Sequence, residues 1–315
     1  MRGLKAHPAW HIAETPIPEL AAWSESRPAW FAASAWAEAL QALGARCLFA
    51  WHRERQRGLV VPVFTRLGFL RLAFLGFPIC PLSDPCEREA LAAALLAGGH
   101  CQTVRFSLPM LQKAEDALSE GERPDVWIEN LPSWRPSSRL RRDLAYARRH
   151  LGDWELVRES LEMAAAARLY AEVIARHRGQ AVYNTAYFGH LGRVRHPGLF
   201  VFGLCDGWGQ LRAFAILAIH EDTGFYLHAA ADEEARRRGA GDLLLEAVVE
   251  QSRRSGCLRL DLMASPPRQS GLIAFKRKWG DRLGVCTTQH TSRGLIGRAM
   301  QAALAFKLKH GARRR

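Results

Sequence analysis

The sequence predicts a mixed α/β fold and permits division into two domains, and three observations bear on that reading. Segments with helical period and segments with strand period alternate along the chain instead of segregating, which argues against a helical bundle. With 315 residues, 48% of them hydrophobic, the chain is long enough to bury two cores of ordinary size. The Pro/Ser-rich stretch Leu131-Pro132-Ser133-Trp134-Arg135-Pro136-Ser137-Ser138 supplies a break between them.

In the first region, an Ala- and Trp-rich segment over 30–42 predicts a helix, followed by apolar strands near 46–52 and 59–64. Residues 87–96 read as another helix and 104–108 as a short alternating strand. The second region opens with helices at about 138–151 and 160–177, with a strand near 154–157 between them. Strong strand signals recur at 199–204 and 211–219, joined by the turn Asp206-Gly207-Trp208-Gly209. A second turn, Glu221-Asp222-Thr223-Gly224, leads into a strand over 225–230 that carries His228. A basic helix over 293–310 is expected at the end. No internal repeat is obvious in the sequence.

Composition narrows the function classes. The N-terminus lacks an apolar signal-peptide core, and charges or glycines interrupt every long apolar run, so a cytoplasmic protein is expected. The nearest candidate for a span, 67–85, contains Arg71 and several turn formers and reads as buried strands. Seven cysteines, at 47, 80, 86, 101, 205, 257 and 286, show no C-x-x-C pairing. They read as packing residues in a reducing compartment, and no metal site is expected. The net charge of +13 suits a polyanionic partner: cofactor phosphates, an anionic membrane surface or a nucleic acid. Aromatic residues do not interleave with the arginine clusters, which weakens a stacking platform for nucleic acid.

One stretch carries specific chemistry. Arg236-Arg237-Arg238-Gly239-Ala240-Gly241 runs directly into the amphipathic Asp242-Leu243-Leu244-Leu245-Glu246-Ala247-Val248-Val249. Glycines let the backbone turn tightly and approach an anion, and the first amides of a helix then bind it at the positive end of the dipole. Downstream, Ser255-Gly256 breaks the chain before a strand over 257–262, so that strand, loop, helix and strand follow at the lengths of a β-α-β unit.

Arg236-x-x-Gly239-x-Gly241 resembles the pyrophosphate loop of the GCN5-related N-acetyltransferase (GNAT) superfamily. Phe275-Lys276-Arg277-Lys278-Trp279-Gly280 is similar to the Phe/Tyr-Lys-x-x-x-Gly signature of its FemAB-like and CelD-like branch, and the arginine-rich segment 138–152 looks like the linker helix of CelD-like proteins. The resemblance implies tandem GNAT-like acyltransferase domains: a degenerate one over 1–132, and over 133–315 one with linker helix, donor loop and terminal basic helix. It implies acetyl-CoA or another acyl-CoA as cosubstrate, held by Arg236, Arg238, Gly239, Ala240 and Gly241. The acceptor would be an amine of a small molecule or an envelope or polysaccharide precursor, with peripheral contact to an anionic membrane. The alternatives are a FemAB-like transferase using aminoacyl-tRNA and a non-enzymatic scaffold.

Lys276 matches the signature lysine, which would bind an anionic group or stabilise charge on the reacting carbonyl; the competing reading is a solvent-facing lysine. His228 and Asp261 are the candidate bases, and each has a structural alternative, a packed core histidine and a turn cap. Glu221 and Asp222 are further base candidates whose hairpin turn explains them more simply.

Overall fold

The computed structural model describes residues 9–111, 122–158, 161–177, 181–295, 297 and 299. Its elements run in chain order as β1 (Trp10–Ala13), α1 (Pro18–Ser26), a 3-10 turn (Trp30–Ala32), α2 (Ser34–Gln41), β2 (Arg46–His52), β3 (Arg57–Arg66), β4 (Leu70–Phe74), α3 (Pro85–Ala97), β5 (Thr103–Leu111) and β6 (Arg123–Ile128). There follow α4 (Ser138–His150), β7 (Glu155–Arg158), α5 (Met163–Arg176), α6 (Thr185–Arg193), β8 (Leu199–Cys205), β9 (Leu211–His220), β10 (Thr223–Ala231), α7 (Glu233–Arg237), α8 (Ala240–Arg254), β11 (Arg259–Asp261), α9 (Ser270–Arg277) and β12 (Arg282–Ser292). The fold is mixed α/β, as the alternation predicts. The single helix expected over 30–42 is divided because Ala33 is extended, at φ −69° and ψ 141°. The basic helix expected over 293–310 lies almost wholly outside the described residues.

Two compact units form. One comprises Met1–Ser26, Phe31–Pro124 and Gly284–Arg315, the other Arg27–Trp30 and Asp125–Leu283. In the first, the strands are ordered β1-β2-β3-β4-β5-β12, antiparallel except for the parallel pair β4/β5 that α3 connects. In the second, the order is β7-β8-β9-β10-β11-β6, antiparallel except for the parallel pair β10/β11 that α8 connects. Parallel neighbours need such a crossover. The strand order and senses of one unit therefore repeat in the other, and each takes its last strand from the distant half of the sequence.

The core of the second unit positions the site. Along β9, Ala213, Ala215, Leu217 and Ile219 face one side and pack with Leu244, Leu245 and Val248 of α8 and Leu140, Leu144 and Ala147 of α4. The alternate residue Phe214 meets Phe188 of α6 edge-on. Covered on both faces, β9 reads as a continuous apolar run. α4 holds its three buried residues on one stripe and turns its arginines outward, and Ser137 caps it by accepting from the amide of Leu140. Five of the seven cysteines are buried, Cys205 is half-buried and Cys86 is exposed, so most pack as the sequence suggests.

Candidate functional site

β10 and β11 pair only from Thr223/Arg259 to Phe225/Asp261. A register shift between Tyr226 and His228 then bends β10, which continues to Ala231 alongside β9 alone. The strands part at this point and leave one side of β10 without a β11 partner. The loop that follows is anchored. Asp232 accepts the amide of Ala235 and caps α7, and Arg212 of β9 pairs with Asp206, Asp232 and Glu234.

At Gly239 the backbone has φ +87°, and an added Cβ would lie 2.9 Å from Cβ of Ala147. Both the left-handed conformation and the close approach to α4 require glycine. The amide of Gly239 bonds the carbonyl of Arg236 and that of Asp242 bonds the carbonyl of Gly239. Between them the amides of Ala240 and Gly241 find no acceptor among the described residues, as expected of the first turn of a helix. An added Cβ at Gly241 would sit 3.4 Å from the Phe275 ring, so a side chain fits there.

The three arginines separate. Arg236 and Arg237 are exposed and have no carboxylate partner among the described residues. Arg238 pairs with Glu234 at 2.8 Å, donates to the carbonyl of His150 at 3.1 Å and lies 5.5 Å above the Trp154 ring. Its guanidinium ties the loop to the end of α4.

The Phe275–Gly280 segment is wired into the same region. Nζ of Lys278 bonds Asp242 at 2.7 Å and Asp143 at 3.1 Å, which offsets a carboxylate that would oppose an anion at the start of α8. Trp279 donates its indole N–H to Asp242 at 3.0 Å and stacks on Trp134. Gly280 admits no side chain, since its Cβ would lie 2.2 Å from Val126 Cγ1.

Lys276 is buried, 5% exposed, which excludes the solvent-facing alternative. Its Nζ donates to the carbonyl of Met263 at 2.7 Å, and Asp261 Oδ1 accepts the amide of Met263 at 2.6 Å. Met263 has φ +66°, a costly conformation for a long side chain, and it is held from both sides. The third member is Asp125 of β6, which, like Asp261, is fully buried. Its carboxyl shares a hydrogen bond with that of Asp261 and lies in the field of Lys276. Burial raises both acids, and the Asp125 charge raises Asp261 further while Lys276 lowers both. Oδ2 of each carboxyl has no hydrogen-bond donor among the described residues, and a close pair of buried carboxyls holds its protons jointly.

His228 lies apart from this group, on the face of the sheet that α5 and α6 cover. Nε2 is 2.8 Å from the Tyr187 hydroxyl, and Tyr170, Tyr183 and Phe188 close around the ring. Burial with no anionic partner pushes its pKa down to about 3, so the imidazole is neutral near pH 7. The same burial drives the Tyr187 phenol well above its usual range. Glu221 and Asp222 occupy the β9–β10 turn, where Asp222 pairs with Arg259.

Sequence reasoning missed Asp125, Tyr187 and Met263. Only the pairing of β6 with β11 and the packing of α6 on β10 bring them in. A cavity of about 690 Å³ between β7, α5 and the ends of β8 and β9, lined by Glu155, Glu172 and Arg212 among others, contains none of the predicted site residues. Among the described residues no group of three or more His, Cys, Asp or Glu is placed to hold a metal ion, and no helix is long and apolar enough to cross a membrane.

Comparison with known proteins bears on this geometry. Residues 137–277, the segment from α4 to α9, match the family model of the acetyltransferase (GNAT) domain. No curated protein matches the sequence. Among solved structures, FemX is similar at 14% identity and a TM-score of 0.57, over 90% of this chain and 95% of that one. L-PGS from Bacillus licheniformis is 16% identical with a TM-score of 0.53, over 95% and 98% of the two chains. The C-terminal domain of a protein assigned as a lysylphosphatidylglycerol synthetase, from Agrobacterium fabrum, gives 16% and 0.53 over 92% and 95%. At these identities the likeness is one of fold.

Proposed function

We propose that the second unit is an N-acyltransferase that takes acetyl-CoA or another acyl-CoA and passes the acyl group directly to an amine. The observation that carries this reading is the start of α8, where two first-turn amides without acceptors and the exposed Arg236 stand beside the point at which β10 leaves β11. The donor's diphosphate would bond the amides of Ala240 and Gly241, with Gly239 setting the turn and Arg236 offsetting charge. Arg238 braces the loop. The thioester would lie along the unpaired side of β10.

Transfer forms a C–N bond and breaks the C–S bond; the amine loses a proton and the departing thiolate gains one. Proximity supplies much of the rate. Asp261, Lys276 and Asp125 serve by holding the Met263 turn at the mouth of the crevice. His228, already neutral, needs no prior deprotonation and forms an acceptor-side wall, oriented by Tyr187.

The first unit reads as a degenerate partner of the same topology. Its crossover helix α3 starts with the Asp84 cap and Glu87 in its first turn, and Glu87 is buried and paired with Arg57. Carboxylates there oppose a second donor phosphate. Tandem GNAT-like units with a CelD-like linker helix, and an amine acceptor drawn from envelope or polysaccharide precursors on the cytoplasmic side, complete the proposal. The fold likeness to lysylphosphatidylglycerol synthetases favours an acceptor at an anionic envelope surface.

The test is thiol release from acetyl-CoA and a longer acyl-CoA in the presence of a panel of amines. Release that depends on an amine and falls at least tenfold in Arg236→Gln supports the reading. Absence of release with every donor would contradict it and leave an aminoacyl ester donor or a scaffold.

A further inference from the structure

The turn between β3 and β4 exposes apolar residues at a position where the fold asks for none. Arg66-Leu67-Gly68-Phe69 closes with the Phe69 amide on the Arg66 carbonyl, and Leu67 and Gly68 both have positive φ, +50° and +76°. Turns of this mirror-image kind favour Gly, Asn and Asp, since a branched side chain in the left-handed region is strained. Among the described residues, the other non-glycine residues with positive φ in turns between paired strands are polar: Gln56 between β2 and β3, and Glu221 between β9 and β10. Leu67 is instead 80% exposed, and Phe69 beside it 61%. Neither contributes to the core, so the strain and the exposure are unexplained by folding.

Charge indicates what covers them. From Arg57 to Ser83 the sequence contains no Asp or Glu. Arg66 is exposed and Arg71 half-buried, and neither has a carboxylate partner among the described residues. Arg66 lies 5.9 Å over the Phe64 ring, and at the root of the hairpin Phe74 meets both Phe64 and Phe77 edge-to-face. Two apolar side chains at a tip, flanked by unpaired arginines and backed by aromatics, match the apolar-then-anionic profile of a phospholipid surface. A protein partner would have to meet a narrow two-residue tip, which offers little area for a stable interface.

We propose that the β3–β4 hairpin docks this protein on an anionic lipid surface, with Leu67 and Phe69 entering the acyl boundary and Arg66 and Arg71 held by lipid phosphates. The docking does not depend on which donor the second unit uses.

The full chain is sedimented with vesicles of phosphatidylcholine alone and of phosphatidylcholine with about a third phosphatidylglycerol. Strong partition to the mixed vesicles and weak partition to the neutral ones is expected. Leu67→Ser/Phe69→Ser should reduce partition to the mixed vesicles at least tenfold, and each of Arg66→Gln and Arg71→Gln roughly fivefold. The thermal melt of each variant should match the wild type, because the tip side chains leave the core untouched. Wild-type partition by the double serine variant would overturn the proposal by assigning binding to another basic region. Equal binding to neutral vesicles, or a dimer abolished by the serine variant with no vesicle binding at all, would overturn it in favour of a non-electrostatic or self-association surface.

Discussion

Lys276→Met removes one member of a buried network while keeping much of the side-chain volume. The ammonium donates to Met263 O at 2.7 Å and sits in the field of Asp125 and Asp261, both fully buried. Methionine leaves the Asp125 charge uncompensated and frees one side of the Met263 turn. Breaking a buried charged pair in this way costs about 3–5 kcal/mol, whereas losing a surface lysine costs about 0.5 kcal/mol or less. Equilibrium urea unfolding followed by tryptophan fluorescence reads the difference. The companion variant Asp125→Asn tests the assignment of the partner: the double variant should be less destabilised than the sum of the singles by about 2 kcal/mol, because neutralising Asp125 removes the charge that Lys276 serves. A loss below about 1 kcal/mol in Lys276→Met, or strict additivity in the cycle, would refute the network and restore Lys276 as a group free for substrate.

His228 gives a pH signature. Its folded pKa of about 3 lies below the unfolded value of about 6.5, so the unfolded chain binds more protons between them and stability falls as pH falls through that window. Between pH 7.5 and 5 the contribution is about 2 kcal/mol, and His228→Gln should flatten the urea-derived stability profile by that amount; an unchanged profile would place the imidazole in contact with water or an anion. Gly239→Ala should cost about 2 kcal/mol, from the left-handed backbone and the contact with Ala147, measured by the same unfolding experiment, and an Ala147→Gly background should recover part of it. Limited alkylation of the native protein should label Cys86 first and Cys205 second, with the five buried thiols protected until unfolding, as mass spectrometry of digests would show.

Where the chain announces its structure, local rules agree. The β8–β9–β10 run is continuously apolar and punctuated by Asp206-Gly207 and Glu221-Asp222, and α4 repeats Leu140, Leu144 and Ala147 on one stripe, so these elements were readable. The turn at Gly239 and the start of α8 were readable because a glycine turn before a helix is a local event. β6 was not: Arg123-Pro124-Asp125 opens with residues that disfavour strands, and only its partner β11, from much later in the sequence, makes it one. α6 carries Gly189 and Gly192 and is held by packing more than by propensity. In α9 the expected polarity is inverted, with Leu272 36% exposed and Lys276 buried, because two carboxyls from other strands wait for the ammonium. No sequence pattern contains that information, and the left-handed Met263 depends on it.

The donor assignment is tested most directly by calorimetric titration of acetyl-CoA into the wild type and into Gly241→Asp. A carboxylate on the first turn of α8 suits the helix dipole and leaves folding intact, and the 3.4 Å space beside Phe275 admits its Cβ. The same charge repels a diphosphate at the Ala240 and Gly241 amides. Saturable binding by the wild type that is lost in a variant with an unchanged melting temperature is the predicted result. Equal affinity in the two proteins would contradict a donor held at the start of α8.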